Sequence, residues 1–397
     1  MTTDFAIVVN RLGDNWLGGV NYYRNLLVVF DAAAEPDLRL HLLTDDSSFL
    51  SDLQLSSRVQ VHQLPMLQRK SIAWALRQTL LLATGKDIQL IAQLKRLKVR
   101  AVLFKFVPGS AAAGIPSFPW IPDFQSQHHP ELFPAALVAA ERKNAAQYVR
   151  QAAGLIVSSQ AARDDAITLF GADAAKMHVL RFAPKLDFEP LQSTVLRDEV
   201  LARHRVTRPY LFLPNQYWQH KNHFVVARAL SLLREQGVDA PLVISTGKTD
   251  DFRNTAHFPA FEAFIREQGL YAHYRVLGVI ARQDMLVLLA HSAAVLNPSR
   301  FEGWSTTVEE AKALGKPLVV SDIPVHREQV EGQADFSLFG TDDAPGLALL
   351  LSGLQRQIEQ ESINVYWPRP NQSFYTAFSQ RYIALIRHLS TQERTAA

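Results

Sequence analysis

Residues 297–330 read NPSRFEGWSTTVEEAKALGKPLVVSDIPVHREQV. The pattern predicts a strand ending at Asn297, a loop, a short helix and a second strand over 317–321. Thr306 is placed as the helix N-cap with Glu309 three residues on, the spacing of a capping box, and Gly315 with Pro317 ends the helix after about two turns. Free amides over residues 303–307, together with the positive end of the helix dipole, make an anion site at the carboxyl end of a parallel strand, and a diphosphate suits it. With Glu309 assigned to the cap, Glu302 and Glu310 remain to accept hydrogen bonds from ligand hydroxyls, such as those of a sugar or ribose. The other reading of the pair is two solvated surface acids.

Outward from this stretch the second half of the chain alternates strand and helix. Strands are predicted at 210–213, 241–246, 274–277, 293–297 and 336–339, with helices at 224–236, 258–268, 282–291 and 345–358. A final helix over 373–389 has an apolar face at Phe374, Phe378, Tyr382, Ile383, Ile386 and Leu389. The loop PNQYWQHKNH after the first of these strands carries Asn215, Gln216 and Lys221. A lysine there can reach a phosphate as a point charge, or it is a solvated lysine at a helix start. His220 and His223 match no common zinc spacing, so no metal is expected.

The first half reads the same way. An apolar strand over 5–10 leads through a polar loop ending in Gly18-Gly19 to a helix from about residue 20. That loop either presents amides to an anion or makes a plain tight turn. Strands at 38–44, 59–64 and 101–107 and helices at 72–83 and 87–98 follow. The segment IPSFPWIPDFQSQHHPELFP, 115–134, is excluded from regular structure by its prolines. It carries Asp123, Gln125, His128 and His129 as candidates for ligand contact. The pattern then resumes and loosens between about 184 and 209, where the domain boundary is placed: 1–190 and 191–372, with helix 373–389 after them.

A chain of 397 residues is too long for one ordinary core, and 48% hydrophobic with 20% charged residues is a globular composition. The net charge of +3 gives no bulk argument for nucleic acid. Locally, nine Lys/Arg from Arg69 to Lys105 face one acid, Asp87. They read either as a surface for anionic headgroups or as a solvated helical face. With no cysteine there is no disulfide framework, thiolate metal site or cysteine nucleophile. The start MTTDFAIVVN lacks the marks of a signal peptide, and no apolar run reaches membrane-spanning length, so a soluble or peripheral protein is expected. Neither an Asp-x-Asp pair nor the glycine fingerprints of dinucleotide or P-loop sites occur, which argues against a dehydrogenase and a P-loop NTPase.

The stretch PSRFEGWSTTVEEAKALGKPLVVSDIPVHRE resembles the E-x7-E signature of the retaining glycosyltransferases of group 1 (family four). NQYWQHKNH, VLGVIARQDM and VLRFAP are similar to segments that occur there in the same order. The resemblance covers roughly residues 120–360 and implies an α/β GT-B fold: two Rossmann-like domains with parallel sheets facing across a cleft, the final helix packing back on the first. It implies a nucleotide-diphosphate sugar as co-substrate, no cofactor and no metal. On this chain Glu310 is implied to hold the ribose hydroxyls and Glu302 those of the donor sugar. The amides of Gly303, Trp304, Ser305 and Thr306 are implied to face sugar and diphosphate, and Lys221 the diphosphate. Gly18 and Gly19 complete the donor-side set, and Asp123, His128 and His129 face sugar and acceptor, with His128 the donor-sugar contact. Where the family carries an arginine before the lysine, this chain has Asn215 and Gln216, and Arg300 is the expected substitute charge.

The expected activity is retaining transfer of a hexose, mannose as one example, to a glycan or lipid-linked acceptor in polysaccharide assembly. The expected place is the cytoplasm or the inner membrane face. Two alternatives stand beside it: a sugar-nucleotide epimerase, and a catalytically silent protein that binds sugar nucleotides or glycans.

Overall fold

The computed structural model describes residues 2–10, 17–251, 253–360 and 368–391. Strands β1 (Thr3–Val9), β2 (Leu38–Thr44), β3 (Val59–Gln63), β4 (Ala101–Phe104), β5 (Ser117–Ile121), β6 (Leu155–Val157) and β7 (Met177–Val179) form one sheet, ordered β3-β2-β1-β4-β5-β6-β7. Strands β8 (Tyr210–Leu213), β9 (Leu242–Ser245), β10 (Tyr274–Val276), β11 (Ala294–Asn297), β12 (Leu318–Ser321) and β13 (Phe336–Phe339) form another, ordered β10-β9-β8-β11-β12-β13. Every pairing is parallel. Parallel strands buried on both faces must be apolar without alternation, and β8, β9, β11 and β12 are buried at every position.

Both sheets grow outward in two directions from their first strand. The strand order therefore reverses between β1 and β4 and between β8 and β11, and the carboxyl end of such a pair is where open α/β sheets bind ligands. The chain divides into two compact units, residues 1–124, 136–185 and 375–397 against residues 125–135 and 186–374. The expected boundary lay near 190. The units part at 185/186, and the short segment 125–135 groups with the second. From Tyr375 on, the last helix, Ser373–Thr391, belongs to the first unit. There Tyr382 lies 6.1 Å from Phe104, centroid to centroid, and Arg387 pairs with Asp37 at 2.5 Å.

Most predicted elements are present within one to three residues of their expected ends. The segment 115–134 is a correction, since it contains β5, a strand inside the sheet. Ser117, Phe118 and Pro119 pair with β4, and Trp120 and Ile121 with β6. Pro119 thus sits where pairing passes from one neighbour to the other, and the fully buried Phe118 anchors the strand in the core. The helix Pro324–Val330 was not predicted; its proline occupies the first turn, where no donor is needed.

Candidate functional site

Four side chains at the carboxyl ends of β8, β11 and β12 build the floor of the site. Asn297, the last residue of β11, is fully buried. Its Oδ1 accepts from Asn215 Nδ2 at 2.9 Å, and its Nδ2 donates to Ser305 Oγ at 2.7 Å. Ser321, the last residue of β12, donates to the carbonyl of Ser299. The side chains of Asn215, Asn297, Ser305 and Ser321 each have a hydrogen-bond partner, which is what such a network requires to be stable.

On this floor stands a buried ion pair. Lys221 Nζ lies 2.7 Å from Glu302 Oε1, with the two side chains 14% and 8% exposed. Ser299 Oγ donates to the same carboxylate oxygen at 2.6 Å. Burial pushes the Glu302 carboxyl up, but the charges of Lys221 and His326 and the hydrogen bonds from Lys221 and Ser299 together outweigh it and hold the group below its ordinary value. Glu302 is therefore an ionised acceptor at neutral pH. Lys221 is brought to it by a tight turn, in which Asn222 takes a left-handed φ of 56° and starts the helix His223–Glu235.

His326 is the member of this cluster that sequence reasoning missed. It is fully buried, and its Nδ1 lies 2.9 Å from the Ser321 carbonyl. A carbonyl only accepts, so Nδ1 carries the proton and Nε2 is left as an acceptor with no protein partner. Burial pushes the ring down to about 4, against the raising effect of Glu302. Short polar residues closing buried apolar strands, Asn297 and Ser321, were the available signal for this network.

The helix Thr306–Ala313 opens differently from expectation. Ser305 is the N-cap, accepting from the amide of Val308, so Thr306 is already helical. Glu309 consequently does not close a capping box. It is buried and accepts from Lys312 Nζ and Gln329 Nε2, each at 2.9 Å. Glu310 is buried as well and pairs with the half-exposed Arg282. Neither glutamate is a solvated surface acid.

The remaining predicted residues take these positions. Gln216 accepts from the amide of Lys248 at 2.6 Å, and Asn215 also accepts from Thr307 Oγ1 at 3.3 Å, so both amides serve the scaffold. Arg300 donates to Asp342 at 2.5 Å, a partly exposed pair. Gly303 and Trp304 lie in the loop before the N-cap. His128 and His129 belong to the second unit and lie against Phe301 at 5.5 and 5.9 Å, next to Glu302. Asp123 follows β5 in the first unit. Gly18 and Gly19 lie within the first turn of the helix Leu17–Ala33 instead of a loop before it, and residues 11–16 fall outside the described residues. His223 is structural: its ring nitrogens meet Tyr274 Oη at 2.9 Å and the Gln216 carbonyl at 3.1 Å, and burial pushes it down to about 3.

Two doubly wound units with an anion-ready helix start and buried acids beside it define a GT-B protein. Residues 201–348 match the family model described as glycosyl transferases group 1. It is 26% identical over 187 residues to a D-inositol 3-phosphate glycosyltransferase of Jonesia denitrificans, covering 45% of this chain and 42% of that relative's own length. Among solved structures, a glycosyltransferase from Rickettsia africae has a TM-score of 0.71 at 14% identity, covering 99% of this chain and all of that one. Anabaena HepE in complex with UDP-glucose has a TM-score of 0.66 at 16% identity, with 97% of this chain and 100% of that one covered.

Proposed function

We propose that this chain transfers a hexose from a nucleotide-diphosphate sugar to a glycan or lipid-linked acceptor with retention at the anomeric carbon. The observation that carries the reading is the buried Lys221–Glu302 pair beside the amino end of the helix Thr306–Ala313. An ionised, fixed carboxylate suits a donor-sugar hydroxyl, while Lys221 and the positive end of the helix dipole suit a diphosphate. Glu310, whose partner Arg282 is half exposed, is the candidate for the ribose hydroxyls. In this reading the leaving diphosphate takes the acceptor's proton on the same face, Glu302 forms no covalent intermediate, and no metal ion is required. The neighbour HepE was solved with UDP-glucose, which makes that compound the first donor to try.

Thermal shift against UDP-glucose, GDP-mannose and their nucleotides tests the reading. A donor at 100 times its Kd is expected to stabilise the protein by about 2.7 kcal/mol, and Glu310→Ala is expected to remove most of that shift. No shift with any nucleotide sugar counts against the reading. A shift without transfer to any acceptor favours the silent binder, for which the neutral Asn215 and Gln216 in place of an arginine are the supporting observation.

A further inference from the structure

The helix Ile72–Thr84 reverses the usual rule of burial. It is capped normally, with Ser71 accepting from the amide of Trp74 and Gly85 taking the left-handed conformation at its end. Its charged residue, however, points inward. Arg77 is buried and forks onto Asp87, with Nε 2.9 Å from Oδ1 and Nη2 2.5 Å from Oδ2. Apart from Thr84, its last residue, the exposed positions are Ile72, Ala75, Leu76, Thr79, Leu82 and Ala83. At 100° per residue these six fall on one arc of roughly 120°, the width of a complete apolar stripe, along a helix of about 20 Å. Ile72, Leu76 and Leu82 are 90%, 53% and 85% exposed. The next helix, Ile88–Arg96, adds Ile88, 44% exposed.

The rim of this stripe is basic. Arg69 and Lys70 precede the helix and Lys86 follows it, all exposed, and Lys95, Arg96, Lys98 and Arg100 lie exposed in and just after the next helix. The acid of the whole stretch 69–105, Asp87, is buried and neutralised by Arg77. Uncompensated cations around an uncharged apolar stripe are complementary to a surface that is negative outside and hydrocarbon within.

We infer that the helix Ile72–Thr84 is an interfacial anchor that seats the first unit on an anionic lipid surface, with Ile72, Leu76 and Leu82 entering the headgroup boundary and Arg69, Lys70 and Lys86 pairing with lipid phosphates. No described helix is long and apolar enough to cross a membrane, so attachment of this kind is reversible. The anchor uses none of the residues assigned to the donor, and its test is independent of whether the chain transfers a sugar.

Flotation of the full chain with vesicles of phosphatidylcholine alone or with 30% phosphatidylglycerol decides the matter. Binding is expected with the anionic vesicles and not with the neutral ones, and it weakens as salt screens the rim. The variants Ile72→Ser/Leu76→Ser/Leu82→Ser and Arg69→Glu/Lys70→Glu/Lys86→Glu are each expected to lower partitioning about tenfold or more. The circular dichroism spectrum of each is expected to match that of the parent, since every substituted side chain is exposed. Failure of the parent chain to float with anionic vesicles overturns the inference, and so does unchanged flotation of both folded variants. If sedimentation shows a dimer that the serine variant dissolves while the parent ignores vesicles, the stripe joins two copies of the chain and the inference is wrong.

Discussion

Each sheet reverses at one strand pair, and the two pairs end very differently. Beyond β1 and β4, among the described residues, which break off after Asn10, Lys105 Nζ donates to Asn10 Oδ1 at 3.0 Å. Beyond β8 and β11 the junction is a network in which Asn215, Asn297, Ser305, Ser299, Ser321, Glu302 and Lys221 are linked by hydrogen bonds. Topology is shared, so topology does not explain the difference. A buried polar network costs desolvation at every member and is kept where a ligand's geometry has to be set, which supports the proposal of a donor site at the second junction.

The most direct way to break this contrast is Lys221→Met. Removing one partner leaves Glu302 buried without its cation, a loss expected to be about 3–5 kcal/mol in urea or thermal unfolding. The double variant Lys221→Met/Glu302→Gln is expected to recover most of that stability while donor binding stays lost. If the single variant unfolds at the parent's midpoint, the pair is not the buried one described.

Acidification separates the junctions next. The His326 ring is held near 4 in the fold against an ordinary histidine value of about 6.5, so between these limits the unfolded chain binds a proton that the folded chain does not. Stability therefore falls as pH falls from 6.5 to 4, by about 3 kcal/mol from this residue. Glu302, held below its ordinary value, acts in the same sense, since the stability it contributes is present above its unfolded value and is lost as pH drops through the folded one. In His326→Gln the slope of unfolding free energy around pH 5 is expected to shrink by about 1.4 kcal/mol per pH unit. An unchanged slope excludes His326 as a buried neutral ring.

Much of this was legible in the sequence, because buried parallel strands must be continuously apolar and glycine and proline mark their ends. That is why 210–213 and 336–339 were placed to the residue. Segment 115–134 misled because proline was weighed as a missing donor, while the packing of Phe118 was invisible in one dimension. At the site, Glu302, Glu310 and Lys221 could be singled out from spacing and resemblance. Which cation meets which acid could not: Glu309 and Lys312 share one helix, but Glu310–Arg282 and Glu302–Lys221 join residues 28 and 81 positions apart. Ser305 displaced Thr306 as cap because either hydroxyl can serve, and the choice follows from Asn297 holding Ser305 in place.

The smallest expected effect sharpens the comparison from the other side. Lys105 is pushed below the ordinary lysine value, first by burial and then by the charge of Arg77, so its ammonium gains little from its setting. Lys105→Met keeps the aliphatic stem and removes a cation whose bond is to the neutral Asn10, a residue that keeps some contact with water. Unfolding free energy is expected to change by less than about 1 kcal/mol, since no opposite charge is left stranded. The UDP-glucose thermal shift is expected to be that of the parent. A loss as large as that of Lys221→Met, or an absent ligand shift, places binding chemistry at the first junction too and removes the asymmetry between the units.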